Sequence, residues 1–197
     1  MLRLTSFVLA ATLAMVAPAL AHTGVGDANG FVHGFTHPIS GIDHVLVMVA
    51  VGLFAAHLGG RALSLVPLSF VAMMAVSGAL GMAGLGLPFV EVGIALSVVA
   101  LGIALATGIH ITTTAAMALV GLFAIFHGHA HGAEMPETAS GLEYGAGFVL
   151  ATATLHVLGV GLGLAIGKMS EVSGGRVLQV AGSAMALAGI AILTGHL

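Results

Sequence analysis

The chain has 197 residues, of which 59% are hydrophobic and 6% charged, with a mean hydropathy of +1.18. A soluble globular domain carries roughly 25% charged residues, so no ordinary water-facing surface can be assembled from this composition, and lipid is the solvent that suits it. Acids outnumber bases by 7 to 4 and cysteine is absent, which removes a basic nucleic-acid surface, disulfides, thiolate metal sites and cysteine nucleophiles.

Residues 1–21 have the layout of a secretory signal. Arg3 supplies the positive region, Phe7 to Val16 the apolar stretch, and Ala19-Leu20-Ala21 a small-residue cleavage site. Cleavage would start the mature chain at His22, the alternative being an uncleaved first helix. Residues 22–38 are polar and glycine-rich and read as an exported segment. Six apolar runs then follow at 39–56, 62–84, 89–107, 111–126, 142–166 and 177–197, each near the roughly 20 residues that a bilayer crossing needs. The expected fold is all-α: a polytopic bundle of six transmembrane helices after a cleavable signal peptide, with one permease domain over 22–197. Gly78, Gly102, Gly121, Gly159 and Gly163 fall inside the runs, where small residues let helix backbones approach closely.

With the mature N-terminus outside, the loops after spans one, three and five face the cytoplasm. Arg61, Lys168 and Arg176 all fall on that side, as the positive-inside rule requires. Asp27, Glu134, Glu137 and most of the histidines fall on the exported side. No Walker loop or dinucleotide fingerprint is present, so the chain itself has no means of hydrolysing ATP.

Two stretches concentrate the chemistry. In HPISGIDHVLVM, Pro38 suits a first helical turn and Asp43 falls inside an apolar run, where an ionisable group costs a few kcal/mol unless paired or metal-bound. His37 and His44, seven residues apart, share a helix face, with Met48 one turn further on. Asp43 either ligates beside His44 or orients an imidazole; the plainer reading pairs it with a histidine of a neighbouring helix. In FHGHAHGAE, a continuing helix puts His127, His131 and Glu134 on one stripe and turns His129 elsewhere. Gly128 and Gly132 leave a looser histidine-rich loop as the alternative. Glu91 enters its span on the exported side, either as a metal acid or as a helix-start charge. His156 lies inside span five, where an intramembrane histidine is a functional candidate. His57, His110 and His196 are expected to be solvated, and Phe70 to face lipid or core. Imidazole and carboxylate without thiolate suit nickel, cobalt or zinc.

Through HPISGIDH (37–44) and FHGHAHGAE (126–134) the sequence resembles the HupE/UreJ family of bacterial nickel and cobalt permeases, over essentially its whole length. The resemblance implies secondary transport or facilitated diffusion of Ni²⁺, with Co²⁺ as the other cargo, across the inner membrane for hydrogenase or urease maturation. It implies His37, Asp43, His44, Glu91, His127, His131 and Glu134 as metal-binding residues. His22, His33, His129, His156 and Met48 are further positions on a metal path. No permanently bound cofactor and no catalysis are expected; the partners are a divalent cation and the lipid bilayer. The other classes are an intramembrane metalloenzyme, which lacks an HExxH pair, and a metal sensor or accessory subunit.

Overall fold

A computed structural model of the chain describes residues 30–136, 139–169 and 171–196, without the side chains of residues 171 and 172. The signal-peptide reading, His22, Asp27 and Glu137 lie outside these residues. Seven helices run through the described residues: α1 Gly30–Ser40, α2 Ile42–Leu58, α3 Ala62–Met82, α4 Val90–Thr107, α5 Thr113–Ala133, α6 Gly141–Gly167 and α7 Glu171–Leu193. No strand occurs among them.

Five of these helices are long and apolar enough to cross a bilayer, and α1 and α2 make a sixth span if that bent pair is counted together. The chain is therefore a multi-pass membrane protein. Its spans follow the apolar runs of the sequence, with corrections at the ends of elements; the last helix, for one, runs from Glu171 to Leu193 where 177–197 was expected. Residues 30–38, expected to be exported coil, belong to α1, and α1 meets α2 at 83° across Gly41. Pro38 consequently stands in the last turn of α1 instead of opening the next helix. The fourth run extends to Ala133, seven residues beyond its expected end at Phe126, because the histidine-rich segment stays helical.

Small residues set the packing. The main helix pairs are α3 with α5, α4 with α7, and α6 with both α1 and α2. On α5, a Cβ at Gly128 or Gly132 would strike the backbone of Met74 or Gly78 on α3. Gly159 sits equally close to the α2 backbone at Val49, Gly102 to α7 at Ala186, and Gly163 to the Ala56 side chain. Gly78 itself approaches Gly128, whereas Gly121 meets only the flexible Met73 side chain, so a larger residue there would displace little. This is packing by close backbone approach, suited to a solvent in which apolar side chains gain little by leaving lipid.

The loops divide between two ends. Residues 59–61, 108–112 and 168–169 lie at one end, together with a cavity lined from α2, α4, α6 and α7. The α1–α2 bend, the connection 83–89 and residues 134–136 and 139–140 lie at the other, where most of the described histidines gather.

Candidate metal centre

The bend at Gly41 turns α1 so that His33 and His37 join the imidazoles of α2 and α5. His33 stacks on His37 with ring centroids 5.7 Å apart, and His37 meets His131 edge-on at 4.9 Å. His131 meets His44 at 4.8 Å, and His44 meets His127 at 5.3 Å. Five imidazoles thus form one column, from half-buried His33 to fully buried His44 and His127. Tyr144 and Phe148 of α6 flank it: Tyr144 packs on His33 and His37, while Phe148 contacts His44 and His131. The Tyr144 hydroxyl donates to the His131 carbonyl at 3.1 Å, joining α6 to the end of α5.

Two groups of three donors lie along the column. The outer group is His37, His131 and Glu134; the inner is His44, His127 and His131; within each group the donor atoms lie within 4.8 Å of one another. His131 belongs to both. Its Nδ1 is 3.5 Å from Glu134 Oε2, and its Nε2 is 3.1 Å from His44 Nδ1. His37 Nε2 lies 3.0 Å from the same Glu134 oxygen. Hydrogen bonding by His131 and then His37 holds the Glu134 carboxyl well below the usual carboxylate range, so it stays anionic at the mouth of the column.

Neighbouring polar groups fix which nitrogens are free. The single Ser97 hydroxyl proton goes to the Ile94 carbonyl, so Ser97 Oγ accepts at 2.9 Å from His127 Nε2–H. That places the proton on Nε2 and leaves His127 Nδ1 bare, buried and without a hydrogen-bond partner. Likewise the Thr152 hydroxyl donates to Met74 Sδ at 3.6 Å and is 3.4 Å from His44 Nε2, which leaves His44 Nδ1 as the lone pair facing His131. Imidazoles held by their remote nitrogen are prepared as ligands.

The remaining expected residues fall in different places. Asp43 is outside both groups: it is half-buried, and its carboxylate accepts from the His44 N–H at 2.7 Å, sealing the start of α2. Glu91 is exposed in the first turn of α4, also outside both groups. His129 points away from the column, as its helical position requires, and donates to the Leu85 carbonyl in the 83–89 connection. Met48 is buried in the apolar core. His156 is buried with neither ring nitrogen partnered, and it is separated from the column by Phe70, whose ring lies 5.8 Å from His127 and 5.3 Å from His156. Phe70 therefore faces the polar centre and not lipid. His57 and His110 were expected to be solvated: His110 is exposed, His57 is half-buried, and their rings meet at the opposite end. Ser97 and Met74 were not singled out by the sequence; a serine in the middle of an otherwise apolar run is the signal that could have found the former.

No solved structure matches the chain. A curated relative, "Protein HupE" of Rhizobium leguminosarum bv. viciae, is 50% identical over 187 residues, which is 93% of this chain and 96% of the relative. The profile described as HupE / UreJ protein matches residues 9–192, including both histidine motifs and every helix of the bundle up to its last turn. The chain belongs to the HupE / UreJ family.

Proposed function

We propose that this protein is an uptake permease for a divalent transition-metal cation, Ni²⁺ or Co²⁺, in the bacterial inner membrane, supplying hydrogenase or urease maturation. The observation that carries the reading is the pair of three-donor groups sharing His131. Their donors are imidazole nitrogens and one carboxylate, a set suited to nickel, cobalt and zinc. The family membership and the "Protein HupE" relative support the hydrogenase connection through the resemblance described above.

In this reading Glu134, His37 and His131 receive the ion, and His131, His44 and His127 take it next. The proton of His131 is the means of transfer. With it on Nε2, donated to His44, Nδ1 is free for the outer group; with it on Nδ1, facing Glu134, Nε2 is free for the inner group. Two divalent ions on opposite nitrogens of one imidazole would sit about 6 Å apart and repel by on the order of 10 kcal/mol at an effective dielectric of about 20. The groups are therefore filled in turn. Three ligands and an open position favour passage over storage, since an ion held too firmly does not leave.

The basic residues Arg61, Lys168 and Arg176 support an orientation with the opposite end of the bundle in the cytoplasm and the mature N-terminus in the periplasm. An inside-negative membrane then favours entry of a divalent cation by roughly 4 to 5 kcal/mol per 100 mV without ATP. Asp43 and Glu91 act here as charges near the entrance: Asp43 holds the α1–α2 bend through His44, and Glu91 draws cations to the exported face.

Liposomes containing only this chain test the reading. ⁶³Ni²⁺ is expected to accumulate under an inside-negative potential; His44→Ala is expected to abolish accumulation and Asp43→Asn, which removes a charge near the entrance, to lower it, both leaving membrane insertion intact. Normal flux in both variants would refute the assigned path.

A further inference from the structure

A second meeting of imidazoles lies at the opposite end of the bundle. His57, in the last turn of α2, and His110, in the connection between α4 and α5, have ring centroids 4.3 Å apart with planes inclined at 53°. Thirteen residues of helix separate His57 from His44, about 20 Å along the axis, so the pair is separate from the column.

The pair has free donors. His110 Nδ1 is 3.2 Å from the Gly108 carbonyl, which can only accept, so Nδ1 carries the proton and Nε2 keeps its lone pair. His57 Nε2 is buried and has no hydrogen-bond partner. Two imidazoles bound side by side to one ion, with metal–nitrogen distances of about 2.1 Å, place their ring centroids about 4.5 Å apart. The observed separation is close to that before any ion binds.

Beside the pair is space. His57, Thr107 and Gly108 help to line a cavity of about 410 Å³ between α2, α4, α6 and α7, which also reaches Gln179. His110 is exposed and does not line that cavity, so a cation held by the two imidazoles sits at its edge and can keep part of its water shell. Two protein ligands bind more weakly than three, as a position of departure requires.

We propose that His57 and His110 form a second site for the divalent transition-metal cation, from which the ion leaves the protein. The binding site stands on the geometry above; its role in departure rests on the transport reading.

The test uses full-length protein carrying His44→Ala and His131→Ala, which removes ligands from both groups of the column, and equilibrium dialysis with ⁶³Ni²⁺ alone. One Ni²⁺ per chain is expected to remain, bound at least 10-fold more weakly after His110→Ala, a change confined to an exposed loop residue, or after His57→Ala. In liposomes, either substitution in the otherwise native chain is expected to lower maximal uptake several-fold with little change in the half-saturating concentration. Residual Ni²⁺ binding that is absent, or that ignores both substitutions, would overturn the site. Native protein that binds Ni²⁺ through His57 and His110 but shows no flux would overturn the transport reading and leave the site standing. Unchanged uptake in both variants, with their binding loss confirmed, would overturn the role in departure.

Discussion

Ser97→Ala removes one oxygen atom and leaves every proposed ligand in place, so it isolates the preparation of His127. Ser97 and His127 are both fully buried, and Ser97 Oγ is the acceptor for His127 Nε2–H at 2.9 Å. With no water at hand to replace it, the variant strands a buried N–H, at a cost of about 1–3 kcal/mol. It also releases the ring to rotate or to move its proton to Nδ1, the nitrogen that must stay bare. Loss of such a supporting group typically weakens metal binding by about 10- to 100-fold. Uptake of ⁶³Ni²⁺ into liposomes, measured across concentration, should show a half-saturating concentration raised by that factor in Ser97→Ala and restored toward the native value in Ser97→Thr, which keeps a hydroxyl. A well-folded Ser97→Ala protein with native concentration dependence would refute the assignment of His127 Nδ1 as a ligand.

Further expectations follow from the same geometry. His131→Ala, which takes a donor from both groups, should abolish uptake, whereas His129→Ala, whose ring is tied to Leu85, should retain most of it; equal loss in the two would contradict the shared role of His131. Because the Glu134 carboxyl is held below its usual range, its contribution is present above the ordinary carboxylate value and lost only as pH falls through its lowered one. Between pH 5 and 7 it stays ionised, so the acid limb of uptake should come from imidazole protonation and should persist in Glu134→Gln with reduced amplitude. Gly132→Val drives a side chain into the Gly78 backbone, and overpacking of this kind costs about 1–3 kcal/mol or more. A lower unfolding temperature in detergent is expected, while Gly161→Val, at a position with open space, should leave that temperature unchanged.

The apolar runs made the spans legible because bilayer thickness and helical rise together fix their length. The stripe of His127, His131 and Glu134 was legible for a similar reason: once the helix continues, its period alone places them together. Asp43 shows where this reasoning stops. Adjacency in sequence left ligation beside His44, orientation of an imidazole and pairing with a neighbouring helix's histidine all open; successive residues on a helix project about 100° apart, and the structure directs the carboxylate to the His44 backbone N–H. The α1–α2 bend was hidden because residues 22–38 read together as polar and glycine-rich; in residues 30–38 the glycines serve contact with α6, where Gly34 meets the Tyr144 backbone, and Gly147 of α6 meets that of Phe31. Contacts such as His44 with His127, or Ser97 with His127, join different helices, and no pattern along one helix encodes them. The half-burial of His57, expected to be solvated, went unseen for the same reason, whereas His110 is exposed as expected.

X-ray absorption at the nickel edge of the Ni²⁺-loaded chain tests the column of imidazoles most directly. The account predicts a first shell of nitrogen and oxygen with the multiple scattering of two or more imidazoles, weakened in His44→Ala and further in His131→Ala. A sulfur neighbour, or a shell of water and carboxylate oxygens unaffected by either substitution, would contradict it.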